Sequence, residues 1–341
     1  KGVRLTHANF AHQAEAVAAG FEVGPGDRSL CFLPLSHVYE RTWSYFVFAV
    51  GARNNYLDDP KQVLEAMQEV RPTVMVSVPR LYEKIHGAVQ ERLEHAPALR
   101  RALFHWAIRV GFEANSRRFT GRRCGPWLTL RHRLADRLVL SKIRDIVGGP
   151  KNFFSAGGAP LAREIEEFFL AAGVLVCQGY GLTETSPMVS YNAPGAFRFG
   201  TVGRPVPGCE VRIGAEGEIQ VRGPNVMAGY HNKPEATAEA FVDGWFRTGD
   251  VGELDPDGYL RVTDRLKDLI ITSGGKNIAP QAVEMSLGKD HYIEQVAVIG
   301  DRRPYAVALV VPAFPALEEW ARRHGLEFTD RRDLVTRPEV E

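Results

Sequence analysis

Apolar positions along the chain fall into short runs separated by amphipathic stretches. Residues 29–34, "SLCFLP", and 73–79, "TVMVSVP", have the length of single strands, and "NFFS" at 152–155 is a third. This third run leads through "AGGAPL" into "AREIEEFFLAAG". There Leu161, Ile165 and Phe168/Phe169 fall on one helical face, with Pro160 expected at the first helical position. "VLVC" then predicts another strand, which delivers "CQGYGLTETSP" at 177–187. Apolar strands alternating with helices predict an α/β fold whose mostly parallel sheet is covered by helices.

Two stretches break that rhythm. Residues 86–145 read as a long, Arg-rich, largely helical insert with "GRRCGPW" as a loop inside it. After Pro187, "CEVRI", "GEIQVRG" and "GYLRVTDR" alternate apolar and polar residues, and "DPDG" at 255–258 is a hairpin-type turn. A small antiparallel β unit over 188–265 follows from this pattern. Past Arg265 a mixed pattern resumes, with "QAVEMSL" and "ALEEWARRHG" helical and "QVAVIG" and "YAVALVVP" as strands. The expected organisation is a large domain over 1–265, made of an α/β part (1–187) and the β unit, followed by a smaller mixed α/β domain over 266–341.

A chain of 341 residues suits at least two cores. Its 42 Lys/Arg against 41 Asp/Glu leave a net charge of +1, which argues against a nucleic-acid partner. The balance is uneven, however. Between Lys84 and Arg144 there are 14 Lys/Arg and 4 Asp/Glu, a local +10 that leaves the remainder at −9. The four cysteines (Cys31, Cys124, Cys177 and Cys209) form no CxxC pair, so a reducing, cytoplasmic setting is expected. No apolar run approaches the roughly 18–20 residues of a membrane span. The chain opens "KGVRLTHANF", without a methionine, so the lack of a visible signal peptide carries little information.

In open α/β sheets, ligands sit beyond the carboxyl ends of the strands. "SAGGAP" supplies Gly157 and Gly158, where backbone can approach a flat or anionic group. "GYGLTE" supplies amide donors, the Thr183 hydroxyl and the Glu184 carboxylate, a set suited to a nucleotide phosphate with Mg²⁺. The same residues would also serve as a turn with a capped helix start. "GWFRTGD" ends on Asp250, and "DRLKD" places Arg265 fifteen residues later. Such a pair can hold a ribose and a phosphate, or can simply link two hairpin strands.

Taken together, "KGVRLTHAN", "GYGLTETSP", "GWFRTGD" and "DRLKDLIITSGGKNIAPQAVE" resemble, in order and spacing, the AMP-forming adenylate-forming enzymes. The resemblance runs over essentially the whole chain. It implies that Lys1, Gly157, Gly158, Ala159, Gln178, Gly179, Tyr180, Gly181, Leu182 and Thr183 line ATP or AMP, with Tyr180 against adenine and Thr183 on the phosphate. It further implies that Glu184 holds Mg²⁺, that Asp250 and Arg265 bind ribose, and that Thr183, Glu184 and His37 form the catalytic set. His37, in "PLSHVYER", matches an aromatic position near the acyl carboxylate; a structural role for it is equally open. Lys267 matches the hinge of a mobile C-terminal domain.

"PLSHVYERTW", "SVPRLYEKIH" and the helical insert resemble long-chain fatty acyl-CoA synthetases, which implies fatty acid, ATP and CoA as substrates. Fatty acyl-AMP ligases, aryl- or medium-chain CoA ligases and a non-catalytic nucleotide or lipid binder share parts of this pattern. Only the Lys-Gly tail of the family's phosphate loop is present, and the family's C-terminal catalytic lysine is not reached. The expectation is therefore an internal segment of a longer enzyme, weak in adenylation by itself. The basic insert reads either as a solvated helical face or as a peripheral patch for anionic membrane.

Overall fold

A computed structural model describes residues 1–274, 277–288 and 290–340. Its main sheet has seven strands, in the order Arg53–Tyr56, Arg28–Cys31, Val74–Ser77, Phe153–Ala156, Val176–Gly181, Met188–Tyr191 and Arg204–Pro205. The first five run parallel and the last two are antiparallel additions.

Period-two alternation explains why the inner strands read as unbroken apolar runs: both faces are covered. Val74, Val76, Phe153 and Cys177 point to one side and pack with Val17, Trp43 and Phe46. Met75, Phe154, Ala156 and Val176 point to the other and pack with Tyr82, Phe168 and Phe169. All of these side chains are buried. The chain is α/β, with mostly parallel strands covered by helices.

Two expectations need correcting. The helix after "AGGAPL" starts at Arg163, not at Pro160, and runs to Ala171. Leu161, Ile165, Phe168 and Phe169 are buried as their spacing predicts. The start is delayed because the Gln178 side chain takes both backbone groups of Leu161. Secondly, "QGYG" is strand rather than loop. The strand Val176–Gly181 continues through it and pairs with Met188–Tyr191, so the turn is confined to 182–187.

The basic stretch is helical, as Pro79–Glu94, Ala98–Phe119 and Pro126–Ala135, with a π turn over Asp136–Leu140 and a last helix Ser141–Ile146. Helix Ala98–Phe119 lies against Arg163–Ala171. Gly111 is required there, since a Cβ would sit 2.3 Å from the Ala171 carbonyl oxygen. The antiparallel unit has the order Phe241–Val242, Trp245–Leu254, Glu218–Arg222, Glu210–Ile213, with Leu260–Arg265 beside Trp245–Leu254. In the "DPDG" turn the Asp255 carboxylate accepts from the backbone N–H of Asp257 and Tyr259, both at 2.9 Å.

The chain divides into two compact units. One comprises residues 1–248 and 252–262; the other comprises 249–251 and 263–341. The second unit contains the helices Pro280–Leu287 and Phe314–Arg323 and the antiparallel pair Ile293–Ile299 and Val307–Pro312.

Glu40, on helix Val38–Ala49, is fully buried. Burial pushes its carboxyl up to about 7. Burial, with the Glu40 charge, also pushes the Cys31 thiol up to about 12. In the unfolded chain Glu40 returns to its ordinary range, so between about pH 4.5 and 7 the folded state binds the proton more tightly. Stability should therefore fall as pH rises through that window. We expect Glu40→Gln to raise the thermal midpoint at pH 8 and to leave it nearly unchanged at pH 5. Scanning calorimetry at both pH values checks this; an equal shift at the two would exclude Glu40 as the titrating group.

Candidate nucleotide site

At the carboxyl ends of Phe153–Ala156 and Val176–Gly181 the structure brings two loops side by side. The parallel ladder between these strands ends at Ala156 and Gln178. Beyond it, the Gln178 amide accepts from the Leu161 N–H at 2.9 Å and donates to the Leu161 carbonyl at 3.3 Å. Gln178 is buried, so its side chain faces the Gly157–Pro160 loop rather than solvent. It acts as a side-chain continuation of the ladder.

Gly157 lies beneath Tyr39, where an added Cβ would come within 3.0–3.1 Å of the ring. The Tyr39 hydroxyl is 3.0 Å from Ser155 Oγ. Gly158 has φ of +84° and open space where a Cβ would be, so it presents bare backbone outward. Ala159 is exposed beside it. His37 caps the helix that carries Tyr39: its Nδ1 accepts from the Tyr39 N–H at 3.2 Å, and its ring is exposed. Tyr39 thus links His37 to the glycine loop, a connection invisible in the sequence.

In the second loop Gly181 has no alternative. A Cβ there would lie 1.8 Å from the Pro187 carbonyl oxygen. That oxygen accepts from the Leu182 N–H at 3.1 Å and also from the Thr185 hydroxyl. Thr185 Oγ1 accepts in turn from the Leu182 N–H at 2.9 Å. The reversal over 182–187 is therefore closed internally, which leaves Thr183 exposed and Glu184 half-buried on its outer side. At Gly179 an added Cβ would lie 3.4 Å from the Ser190 carbonyl oxygen, an ordinary contact. Tyr180 packs part of its ring on the cluster of Val189, Val206 and Leu260.

Glu184 is anchored from a distant segment. Its backbone carbonyl accepts from the Met227 N–H at 2.8 Å, and the Tyr230 hydroxyl donates to its Oε1 at 2.9 Å. Burial, then the bond to Glu184, pushes the Tyr230 hydroxyl up to about 12, so it remains a donor at neutral pH. The Lys1 ammonium lies 4.7 Å from the centre of the Tyr230 ring. Strand Val3–Arg4 pairs with Gly229–Tyr230 and holds Lys1 in this position. Lys1 and Glu184, 183 positions apart, thus share one tyrosine. Tyr230 is the residue that sequence reasoning missed. Its signal, the "GY" of "MAGYHNKP", lies 46 residues beyond Glu184 and means little until the strands pair.

In the second unit, Asp250 is buried and Arg265 Nε is 3.0 Å from its Oδ1. Arg265 is itself 59% exposed, so one side of the pair faces outward. Lys267 is exposed in the turn that follows, where the Asp268 N–H bonds to the Arg265 carbonyl at 3.0 Å.

Residue types at the first site suit a hard cation brought by a nucleotide. Glu184 offers carboxylate oxygen, Thr183 a hydroxyl, and the two loops offer backbone amides. No cluster of three or more His, Cys, Asp or Glu able to hold a metal unaided occurs among the described residues.

The chain is similar to known proteins over its whole length. The chain is 38% identical over its full length to the long-chain-fatty-acid–CoA ligase FadD15 of Mycobacterium bovis, of which it covers 57%. It is 34% identical to the peroxisomal long chain acyl-CoA synthetase 6 of Arabidopsis thaliana, covering 50% of that protein. The chain thus spans about half the length of these relatives. Among solved structures, it resembles AMP-bound O-succinylbenzoate coenzyme A synthetase (MenE) from Bacillus subtilis, with a TM-score of 0.66 and 25% identity over 98% of this chain and 58% of that one. It also resembles ATP-bound MatB from Rhodopseudomonas palustris, with a TM-score of 0.67 and 26% identity over 98% of this chain and 57% of that one. Residues 267–328 match the AMP-binding enzyme C-terminal domain, and residues 1–231 match the AMP-binding enzyme family. The chain belongs to that family.

Proposed function

We propose that the whole protein is an AMP-forming ligase that activates a long-chain fatty acid as acyl-AMP and passes it to CoA. One observation carries this reading: Glu184, Tyr230 and Lys1 converge beside the outward-facing Thr183, on a loop that shares its anchorage with the open Gly157–Gly158 backbone. Full-length similarity to fatty-acid–CoA ligases, through the helical insert, supports the long-chain assignment.

In the first half-reaction a fatty carboxylate oxygen attacks the α-phosphorus of ATP, and the bond to pyrophosphate breaks. Negative charge gathers on the phosphate oxygens, so donors fixed in advance are what the site must supply. Thr183 donates its hydroxyl, the loop amides donate N–H, and Lys1 adds a positive charge. Tyr230 fixes the Glu184 carboxylate through Oε1, leaving Oε2 for a cation. Mg²⁺, held by Glu184, would offset charge on the phosphates. Gln178 acts by positioning Leu161 and the glycine loop; Gly179, Tyr180, Gly181 and Leu182 form the wall against the nucleotide. His37 borders the acyl carboxylate through the Tyr39 end of its helix. In the second half-reaction the CoA sulfur attacks the acyl carbonyl, the bond to AMP breaks, and the thiol proton is released.

Asp250 accepts the ribose hydroxyls, with Arg265 beside it. In this reading residues 1–265 form the large domain and 266–341 begin a mobile one, with Lys267 as the hinge between half-reactions. Fatty-acid-dependent ATP–pyrophosphate exchange by the full-length protein, profiled over acyl chain length, tests the assignment. A preference for aryl or short acids would refute the long-chain part, and thioester formation independent of CoA would refute the acceptor.

Glu184→Gln keeps size and removes charge, and should abolish exchange while the circular dichroism spectrum stays unchanged. Tyr230→Phe should slow exchange about tenfold by freeing Glu184, in line with one hydrogen bond to a charged group. Because this tyrosine positions rather than reacts, its loss should raise the magnesium concentration needed for half-maximal rate; an unchanged magnesium dependence would refute the positioning role.

For Asp250→Ala, the KM for ATP should rise by roughly 10–150-fold, equivalent to about 1.5–3 kcal/mol for a charge-assisted contact. Steady-state kinetics at varied ATP decides this. Lys267→Pro fixes φ at the expected hinge. It should spare pyrophosphate exchange and suppress thioester formation; equal loss of both would point to misfolding or another hinge.

A further inference from the structure

A buried carboxyl lies behind the glutamine that brackets the two loops. Glu166, in the first turn of helix Arg163–Ala171, is 1% exposed. Its Oε2 accepts from the Gly200 N–H at 3.1 Å, and the Gln178 side chain also hydrogen-bonds to its carboxyl. The amide nitrogen of Gln178 carries two hydrogens. One goes to the Leu161 carbonyl, which leaves the other for Glu166.

These bonds close a circuit. The Gln178 carbonyl accepts from the Asn192 N–H at 2.8 Å. The Asn192 side chain in turn accepts from the Arg198 N–H at 3.0 Å and donates to the Thr201 carbonyl at 2.7 Å. Gly200, between those two, returns the circuit to Glu166. Asn192 and Thr201 are buried. Loop 198–201 is also fixed to the β unit, since the Arg198 guanidinium bonds to Asp257 at 2.6 Å and to Asp255. Glu166 is thus where the glutamine bracket and this loop meet.

An ionised carboxyl only accepts, which suits the N–H groups aimed at this one; a protonated carboxyl adds a donor where donors are already supplied. Burial outweighs both bonds and pushes the Glu166 carboxyl up to about 7. Other titratable groups near it are taken or neutral. Arg163 and Glu167, on its own helix, pair with each other at 2.7 Å, and burial pushes the Cys177 thiol of the adjoining strand well up. His86 of helix Pro79–Glu94 meets the Phe168 ring, and burial lowers its pKa. Helix Ala98–Phe119 presents the neutral Gly111 and Asn115 to this helix. The Gln178 bond lowers the Glu166 carboxyl against burial, so by the same linkage loss of the proton tightens that bond. We propose that Glu166 is a positioning residue of the nucleotide site, whose carboxylate braces Gln178, and through Leu161 the Gly157–Pro160 loop, against loop 198–201. When it is protonated, the second hydrogen of the Gln178 amide loses its acceptor and the brace slackens. The proposal rests on the nucleotide-site reading and deepens it.

The test follows fatty-acid-dependent ATP–pyrophosphate exchange by the full-length protein from pH 5.5 to 8.5, for wild type and for Glu166→Gln. Glutamine matches the protonated carboxyl in size and charge. Taking the ratio of the two proteins cancels the titration of ATP, pyrophosphate and fatty acid. The kcat/KM for ATP of wild type relative to the variant should be near one at pH 5.5 and rise about tenfold by pH 8.5, as expected for one hydrogen bond to a charged group. The midpoint should fall near 7. A ratio that stays constant with pH would overturn the proposal, because a purely structural loss does not follow ionisation. A second measurement needs no variant. Amide hydrogen exchange of the wild type is read by mass spectrometry and corrected for the intrinsic effect of pH. Protection at Leu161 and Gly200 is compared with that of helix Arg163–Ala171, whose opening would expose Glu166 itself. The relative protection should rise as pH passes 7, and equal values on both sides would overturn the proposal even if the variant failed to fold. Wild-type protein without exchange at any pH would overturn the ligase reading instead, and amide protection would then decide the brace alone.

Discussion

Two hydrogen bonds from a buried glutamine set the geometry on which the proposed nucleotide site depends. The parallel ladder ends at Ala156 and Gln178, because the chain after Ala156 leaves the sheet while Val176–Gly181 runs on to pair with Met188–Tyr191. Gln178 replaces the next rung with its own amide, donor to carbonyl and acceptor to N–H of Leu161. This satisfies two backbone groups that would otherwise be left unpaired near the core. It also delays the following helix to Arg163 and leaves Gly157 and Gly158 as bare backbone beside the Thr183 turn. Leucine at 178 would fill the space yet leave both groups of Leu161 unpaired, at a cost of about 1–3 kcal/mol for each buried polar group.

The inner strands were legible because both of their faces are buried. Val74–Ser77 and Phe153–Ala156 show this as unbroken apolar text. The edge strand Arg53–Tyr56 was not legible: "RNNY" has no apolar pattern, and it is a strand because its backbone pairs with Arg28–Cys31 while Asn55 donates to the Ser29 carbonyl. The motif residues could be named from resemblance, but not how they are held. Gln178, expected from the resemblance to line the nucleotide, has its side chain buried and bonded to both backbone groups of Leu161. Tyr230, which orients Glu184, is reached only when Val3–Arg4 pairs with Gly229–Tyr230. Long-range pairing carries no local signal, which is why the partner of a site residue is harder to read than the residue itself.

The basic insert shows the same limit in electrostatic form. Its composition gives a local +10 but not its distribution. In the folded chain, Arg117 pairs with Glu113, so part of the charge is offset within the helix. Arg144 bonds both to Asp136 and to the Ala172 carbonyl, which ties the π turn to the end of helix Arg163–Ala171. Of the other exposed arginines, Arg122, Arg123, Arg133 and Arg137 lie near the exposed ridge of Trp127, Leu130, Leu134 and Leu138, while Arg92, Arg100, Arg101 and Arg109 lie on the two preceding helices. Periodicity could not separate that ridge from a core face, since Leu128, Ala135 and Leu140 on the opposite side are apolar too.

Packing also connects this ridge to the glycine loop. Helix Pro126–Ala135 rests on Ala98–Phe119, which meets Arg163–Ala171 through the close approach at Gly111 and through Asn115, whose amide donates to the Leu170 and Ala171 carbonyls. Arg163–Ala171 begins where the Gly157–Pro160 loop ends. The first joint is made by packed apolar side chains and the second by backbone groups and a glycine with no room for a side chain, so little play is available at either. A load on the outer ridge would therefore be borne by the same helix that carries the nucleotide loop. The insert is better described as a rigid extension of the site's own support than as an appendage.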